Sequence, residues 1–382
     1  MKLFLVAGEA SGDALGAALL EGLDALAPGT AREGVGGPRM AARGVASLFP
    51  MEELSVMGLV EVLPRYPALR RRVAETAEAA IDGGADALVT IDSPDFCLRV
   101  AARVKAARPA MPVIHYVAPS VWAWRPGRAA RMARHVDHVL ALLPFEPPLM
   151  EAAGMTCDFV GHPAAAEPRA SGEEVALFRR VHGIAGGALL ILPGSRAGEV
   201  RRLAPTFGVA AALVLRSRPD LVPVVPVAPG RMSDVRRAVE GWSFRPVLAD
   251  TADPETRRAA FGAGTAALAA SGTVSLDLAR EGVPMVIGYD LHPVTRFLMR
   301  RMALVDTVTL VNLVSGTRAV PEFIGADCRP GTIAPALARA ARGDPAQAAA
   351  MRETMERLGA GGEDPGRRAA RSVLRAIERL AA

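Results

Sequence analysis

Six segments carry the residue types whose spacing could do chemistry, and each follows or lies within an apolar run. Asp92 ends the run 88–91, with Asp95 one turn on in Ile91-Asp92-Ser93-Pro94-Asp95-Phe96. A carboxylate at the end of an apolar strand is partly desolvated and becomes a better base. The alternative is that Asp92 or Asp95 caps the helix that follows. Gly8-Glu9-Ala10-Ser11-Gly12-Asp13 ends the first run. Gly8 and Gly12 permit a tight turn and close approach of a ligand, and Ser11 is a candidate N-cap. Glu9 would repel a phosphate but suits sugar hydroxyls. A plain capped turn explains the same residues.

Pro193-Gly194-Ser195-Arg196 opens a helix whose free N–H groups and dipole can hold an anion, with Arg196 adding a planar cation. Ser271-Gly272-Thr273 is a second small-residue helix start in the same half, and Asp277 follows one turn later. Two such starts suit a diphosphate, with an acid for a ribose hydroxyl. Neither loop is a Walker A or a G-x-G-x-x-G fingerprint. His115 through Arg125 (HYVAPSVWAWR) gathers Trp122 and Trp124, whose faces suit a sugar ring or acyl chain. His115 itself reads as a core residue. Asn312 sits in the apolar run 305–315, read as extended, where ligand contact and an internal network are equally open.

These loops need strands to hold them, and the chain supplies short apolar runs alternating with helical stretches. Runs at 3–7, 88–91, 113–117 and 139–142 form one series. Runs at 189–192, 222–227, 245–248, 266–270 and 285–287 form another. This is the pattern of parallel α/β sheets. The Pro-containing stretch 161–174 (GHPAAAEPRASGEE) reads as a linker. The expected architecture is two doubly wound Rossmann-like domains facing a cleft. Residues 1–165, joined by a C-terminal helix from about 345–382, make one domain, and 166–344 make the other.

Composition sets outer limits. The 382 residues exceed one ordinary core of roughly 100–200 residues. At 51% hydrophobic and 22% charged, the chain is neither disordered nor fibrous. Net charge is +5, and all of its 45 basic residues except Lys2 and Lys105 are arginine. Aromatics are only 4% and do not interleave with the cations, which argues against nucleic acid. Cys97, Cys157 and Cys328 fit no zinc or disulfide spacing and suggest a reducing compartment. The opening apolar run is too short for a signal peptide, and no run reaches the ~18 residues of a spanning helix. The protein is therefore expected to be soluble or peripheral, in the cytoplasm. Two segments, 51–72 and 292–304, mix Leu, Met, Val and Phe with arginines. They read either as membrane-interface surfaces or as core helices with solvated arginines.

The loops, in this order, resemble the lipid-A-disaccharide synthase family. The matching segments are VAGEASGD (6–13), GVGGPRM (34–40), MEELSVMGLVEVL (51–63), IDSPDF (91–96) and HYVAPSVWAWR (115–125). LPFE (143–146), GHP (161–163), LPGSR (192–196) and ASGT (270–273) complete the set. The resemblance implies a two-domain GT-B glycosyltransferase needing no metal and no cofactor. It would join UDP-2,3-diacylglucosamine to 2,3-diacylglucosamine 1-phosphate, giving the β-1,6 disaccharide precursor of lipid A and UDP. A UDP-sugar epimerase or a non-catalytic nucleotide-sugar binding protein on the same fold is the rival reading. By position, the family's aspartate matches Asp92, its first-loop glutamate Glu9, its phosphate-loop arginine Arg196 and its late asparagine Asn312. Asp277 stands where the family usually has Glu, Val311 where it has Pro, and Ala118 where it has Ser. The resemblance also implies a peripheral place on the cytoplasmic face of the inner membrane and a possible homodimer.

Overall fold

A computed structural model describes residues 1–54, 59–290 and 304–381, with side chains left undescribed at 59–65 and at 381. Of the two surface segments named above, 55–58 and 292–303 lie outside the described residues, as do the side chains of 59–65. The chain divides into two compact units, Met1–Ala166 with Gly361–Ala382, and Glu167–Ala360.

The first unit is built on β1 (Lys2–Ala7), β2 (Ala31–Val35), β3 (Ala46–Ser47), β4 (Ala87–Ile91), β5 (Val113–Tyr116), β6 (His138–Ala141) and β7 (Thr156–Phe159). Their order in the sheet is β3-β2-β1-β4-β5-β6-β7, every pair parallel. β1 and β4 are continuous apolar runs because helices cover both faces. Leu15, Leu19 and Leu23, four apart on the helix Ala10–Leu26, pack against Leu3, Leu5 and Ile91 on one of those faces.

The C-terminal helix Pro365–Ala381 lies on the same face. A Cβ on Gly22 would come within 2.6 Å of the Gly366 carbonyl oxygen, and one on Gly366 within 2.4 Å of the Ala18 carbonyl oxygen. Only glycines allow the two helices to approach this closely. Ser372 then bridges His138 Nε2 (2.8 Å) and Asp158 (2.6 Å).

The second unit contains β8 (Gly187–Leu192), β9 (Leu221–Val227), β10 (Val247–Asp250), β11 (Gly264–Ala269), β12 (Met285–Tyr289) and β13 (Glu322–Ile324). The order is β10-β9-β8-β11-β12-β13, again all parallel. The helix Pro345–Arg357 stays with this unit, so the return to the first unit comes at 361 rather than near 345. Its polar side chains explain why. Gln347 accepts the Met285 N–H at 2.9 Å, Thr354 donates to the Val311 carbonyl at 3.1 Å, and Arg357 to the Val314 carbonyl at 2.7 Å. The three cysteines are buried, and none forms a disulfide among the described residues.

Candidate active site

In an open parallel sheet the ligand site lies beyond the carboxyl ends of the strands, where the strand order reverses. In the first unit that point is the β1/β4 neighbourhood. Ala7 pairs with Ile91, so Gly8 and Asp92 leave the sheet side by side. A Cβ on Gly8 would meet Ser93 Oγ at 2.6 Å. The glycine therefore lets the two loops touch.

Ser11 does not cap the first helix as expected. Glu9 holds the N-cap position, and Ser11 Oγ instead donates to Asp92 Oδ2 at 2.9 Å. Nor does Asp92 cap the next helix. Asp92 and Ser93 lie in the left-handed region at φ 54° and 40°, with Ser93 in the N-cap position. Val117, opposite them, has φ 84°, a genuine outlier for a β-branched residue. Hydrogen bonds from Asp92 N to the Tyr116 carbonyl (2.9 Å) and from Val117 N to the Leu140 carbonyl (3.0 Å) hold these strained turns. Strain of about 1–3 kcal/mol per residue persists only where surrounding structure enforces it, and it concentrates at functional sites.

Asp92 and Val117 both line a cavity of about 250 Å³, together with Pro119, Trp124, Arg125 and Arg128. The Arg125 guanidinium stacks on Trp124 at 3.9 Å. Arg128 donates to Asp95 at 2.9 Å, and the Asp95 side chain is 95% exposed.

Trp122 is not among the residues that line the cavity. It points to the LPFE turn, where Nε1 donates to Glu146 Oε1 at 3.2 Å and the ring packs edge-on to Phe145. Glu146 also accepts the Leu143 N–H at 3.0 Å, and burial pushes its carboxyl up to about 7. His115 is a core residue. Its Nδ1 meets Thr90 Oγ1 at 2.8 Å, and burial drives its imidazole down to about 4. Asp13, which the sequence left unassigned, is buried and accepts N–H groups of Gly37, Arg39 and Met40 at 2.9–3.0 Å. It thereby pins the GVGGPRM turn beside the first loop.

The second unit repeats the arrangement at β8/β11. Leu192 pairs with Ala269, so the loops 193–196 and 270–273 leave neighbouring strand ends, and Ser195, Arg196, Ser271, Gly272 and Thr273 gather there. Ser271 Oγ reaches the Val308 carbonyl at 3.5 Å. Arg196 is exposed, but its site carries an unexpected acid. Glu199 Oε2 accepts the N–H groups of Ser195 and Arg196, both at 3.3 Å, and Glu199 Oε1 meets the Arg196 guanidinium at 3.3 Å. The carboxylate occupies the amides expected to take an anion. The capping-box spacing from Arg196 to Glu199 was the available sequence signal.

Two candidate residues turn inward. Asp277 gives one oxygen to Arg257 at 2.5 Å and the other to Arg280 at 3.2 Å, and Arg280 also binds Glu167 and Glu281. Burial raises its carboxyl, and the two arginines oppose that rise. Both Asp277 oxygens are thus engaged by arginines. Asn312 lies on a helix, Leu310–Ser315, not in an extended run. Its Nδ2 donates to the Val320 carbonyl at 2.9 Å and its Oδ1 accepts the Val320 N–H at 3.0 Å. Of the two readings left open for Asn312, the internal network is the one observed.

Two parallel α/β units with loop pairs at both strand-order reversals define a GT-B protein. Solved structures share this fold across their full length. The UDP-GlcNAc 2-epimerase of Neisseria meningitidis, bound to UDP-GlcNAc, superposes with TM-score 0.63 at 11% identity, covering 99% of this chain and 100% of its own. The calicheamicin glycosyltransferase superposes with TM-score 0.60 at 15% identity, covering 100% and 99%. A family model described as lipid-A-disaccharide synthetase matches residues 3–376. The lipid-A-disaccharide synthase of Ruegeria pomeroyi is 56% identical over 382 residues, 98% of this chain and 95% of that protein. The chain belongs to the lipid-A-disaccharide synthase family.

Proposed function

We propose that the chain is an inverting glycosyltransferase that joins UDP-2,3-diacylglucosamine to 2,3-diacylglucosamine 1-phosphate, giving the β-1,6-linked lipid A precursor disaccharide and UDP. Kinship over nearly the full chain supports the reaction. One structural observation supports the chemistry: Asp92, oriented by Ser11, opens onto a small cavity at the strand-order reversal of its sheet.

In the proposed step Asp92 takes the proton of the acceptor 6-hydroxyl. That oxygen forms a bond to C1 of the donor sugar as the C1–O bond to the diphosphate breaks, and UDP departs with its electron pair. The second unit stabilises the leaving charge with the N–H groups of Ser195 and Arg196 and the Arg196 guanidinium, once Glu199 swings off them. Fixed dipoles aimed at developing charge are usually the largest catalytic contribution. Ser271, Gly272 and Thr273 border the same diphosphate, and Glu9 meets sugar hydroxyls. Among the described residues no helix is long and apolar enough to cross a membrane. Acylated substrates reside at a membrane surface, which supports a peripheral place for the enzyme on the cytoplasmic face of the inner membrane.

The test is incubation of purified protein with both acylated substrates, followed by mass spectrometry for the disaccharide monophosphate and for UDP. Absence of product from the wild type would overturn the reading. Asp92→Asn keeps a side chain tolerant of the left-handed backbone and should lower turnover at least ~10²-fold, as expected for loss of a general base. Near-normal turnover in that variant removes Asp92 from the role.

A further inference from the structure

We propose that Arg125 and Arg128, on the wall of the first unit's cavity, bind the phosphate monoester of the acceptor and so point its sugar ring toward Asp92. The inference rests on the transferase reading above and assigns the acceptor end of that site.

The cavity is asymmetric in charge. Asp92 is the one acid among the residues lining it, and Arg125 and Arg128 are the cations. An acceptor that carries a neutral hydroxyl at one end and a phosphate at the other can enter in one sense only. Its phosphate would be repelled by Asp92 and attracted by the two guanidiniums, whose planar forks match phosphate oxygens.

Size points the same way. A cavity of about 250 Å³ is below the ~300–1,000 Å³ that holds a drug-sized ligand. It admits one sugar ring and leaves the acyl chains outside.

Neither arginine is consumed by the fold. Arg125 is exposed and stacks on Trp124, and among the described residues it pairs with no carboxylate. The stacking orients its guanidinium while leaving the N–H edge free to donate. Arg128 is held by one nitrogen to Asp95, an acid almost fully exposed. Such a solvent-exposed pair holds only weakly, so an incoming phosphate dianion competes with it readily. The pair also parks Arg128 at the cavity wall when no substrate is present.

The experiment is ligand-detected NMR titration of the full chain with glucosamine 1-phosphate, glucosamine and inorganic phosphate, on wild type, Arg125→Ala and Arg128→Ala. Thermal melts check that the variants fold. Wild type should bind glucosamine 1-phosphate at least ~10-fold more tightly than either glucosamine or phosphate. Each variant should lose most of that margin, since charge-assisted hydrogen bonds are the strong ones. In the transfer assay, KM for the acceptor should rise by a similar factor, with KM for the UDP-sugar unchanged. A margin that survives in both folded variants overturns the assignment, as does a wild type without any margin. These binding arms are read without turnover. Failure of the subsite is thus distinct from failure of the transferase reading, which shows as missing disaccharide from the wild type.

Discussion

Ser11 Oγ and Asp92 Oδ2 are joined by a 2.9 Å hydrogen bond between loops 81 residues apart in sequence. The bond orients the carboxylate and, in the proposed reaction, leaves Oδ1 as the oxygen to receive a proton. Ser11→Ala removes that constraint without touching the base itself. A hydrogen bond to a charged group contributes roughly 1.5–3 kcal/mol, and water entering the site restores part of it. Turnover should fall about tenfold, with the thermal midpoint little changed. Steady-state UDP release measures it. Unchanged turnover in a folded Ser11→Ala protein would mean that Asp92 needs no help from the first loop.

Glu199 sits where the proposed reaction needs a diphosphate. Its carboxylate accepts the Ser195 and Arg196 N–H groups and touches the Arg196 guanidinium. UDP must displace it, so the acid acts as a built-in competitor. Glu199→Gln keeps the shape and a carbonyl acceptor but removes the charge that makes such bonds about twice as strong. UDP should bind roughly three- to tenfold more tightly to the variant, while uridine, lacking phosphates, binds as before. Calorimetric titration of both ligands measures this. Weaker UDP binding in the variant would show that Glu199 assists the nucleotide instead of competing with it.

The loops starting at Gly8, Asp92 and Pro193 were legible because each follows a buried apolar strand and begins with a residue that stops strands for steric or hydrogen-bonding reasons. The strands the sequence reading passed over are β2, β3, β7 and β13. They are short, and most of their residues are at least partly exposed, so no apolar run marks them. The first-unit site itself was only half legible. Asp92 was visible by its position, but its left-handed backbone is imposed by Tyr116 and Gly8, which lie far away in sequence. Asp277 and Asn312 looked available because their partners, Arg257 and Val320, are set by tertiary packing and leave no local pattern. Nearly all basic residues of the chain are arginine, so Arg125 and Arg128 did not stand out among them.

Asn312 carries a prediction opposite to its expected role. Its amide satisfies both backbone groups of Val320 and meets Thr307 Oγ1 at 3.2 Å, all in a buried setting. Asn312→Ala leaves these groups unpaired, at about 1–3 kcal/mol for each one orphaned. Urea unfolding should show a loss of about 2–4 kcal/mol, and UDP should bind the folded fraction within about twofold of wild type. A variant of normal stability that no longer binds UDP would return Asn312 to the ligand.

Burial of Glu146 should make stability fall as pH rises from 4.5 through about 7. The side chain is 3% exposed and accepts the Trp122 indole N–H and the Leu143 N–H. Burial is the largest influence and raises its carboxyl from 4.5 to about 7, against the lowering effect of those donors. Between those two values the folded protein keeps a proton that the unfolded chain has released. The contribution to stability is therefore complete below pH 4.5 and is lost as pH rises through 7. At 1.36 kcal/mol per unit, the loss is about 3 kcal/mol. Glu146→Gln cannot ionise, so wild type should lose about that much relative to the variant between pH 4.5 and 8, measured by denaturant unfolding at each pH. Trp122 shares its loop with Trp124 and Arg125, so ionisation of Glu146 should also change tryptophan emission with a midpoint near 7, a transition missing in the variant. Parallel stability curves for the two proteins would place the Glu146 carboxyl in the ordinary range and detach the aromatic loop from pH.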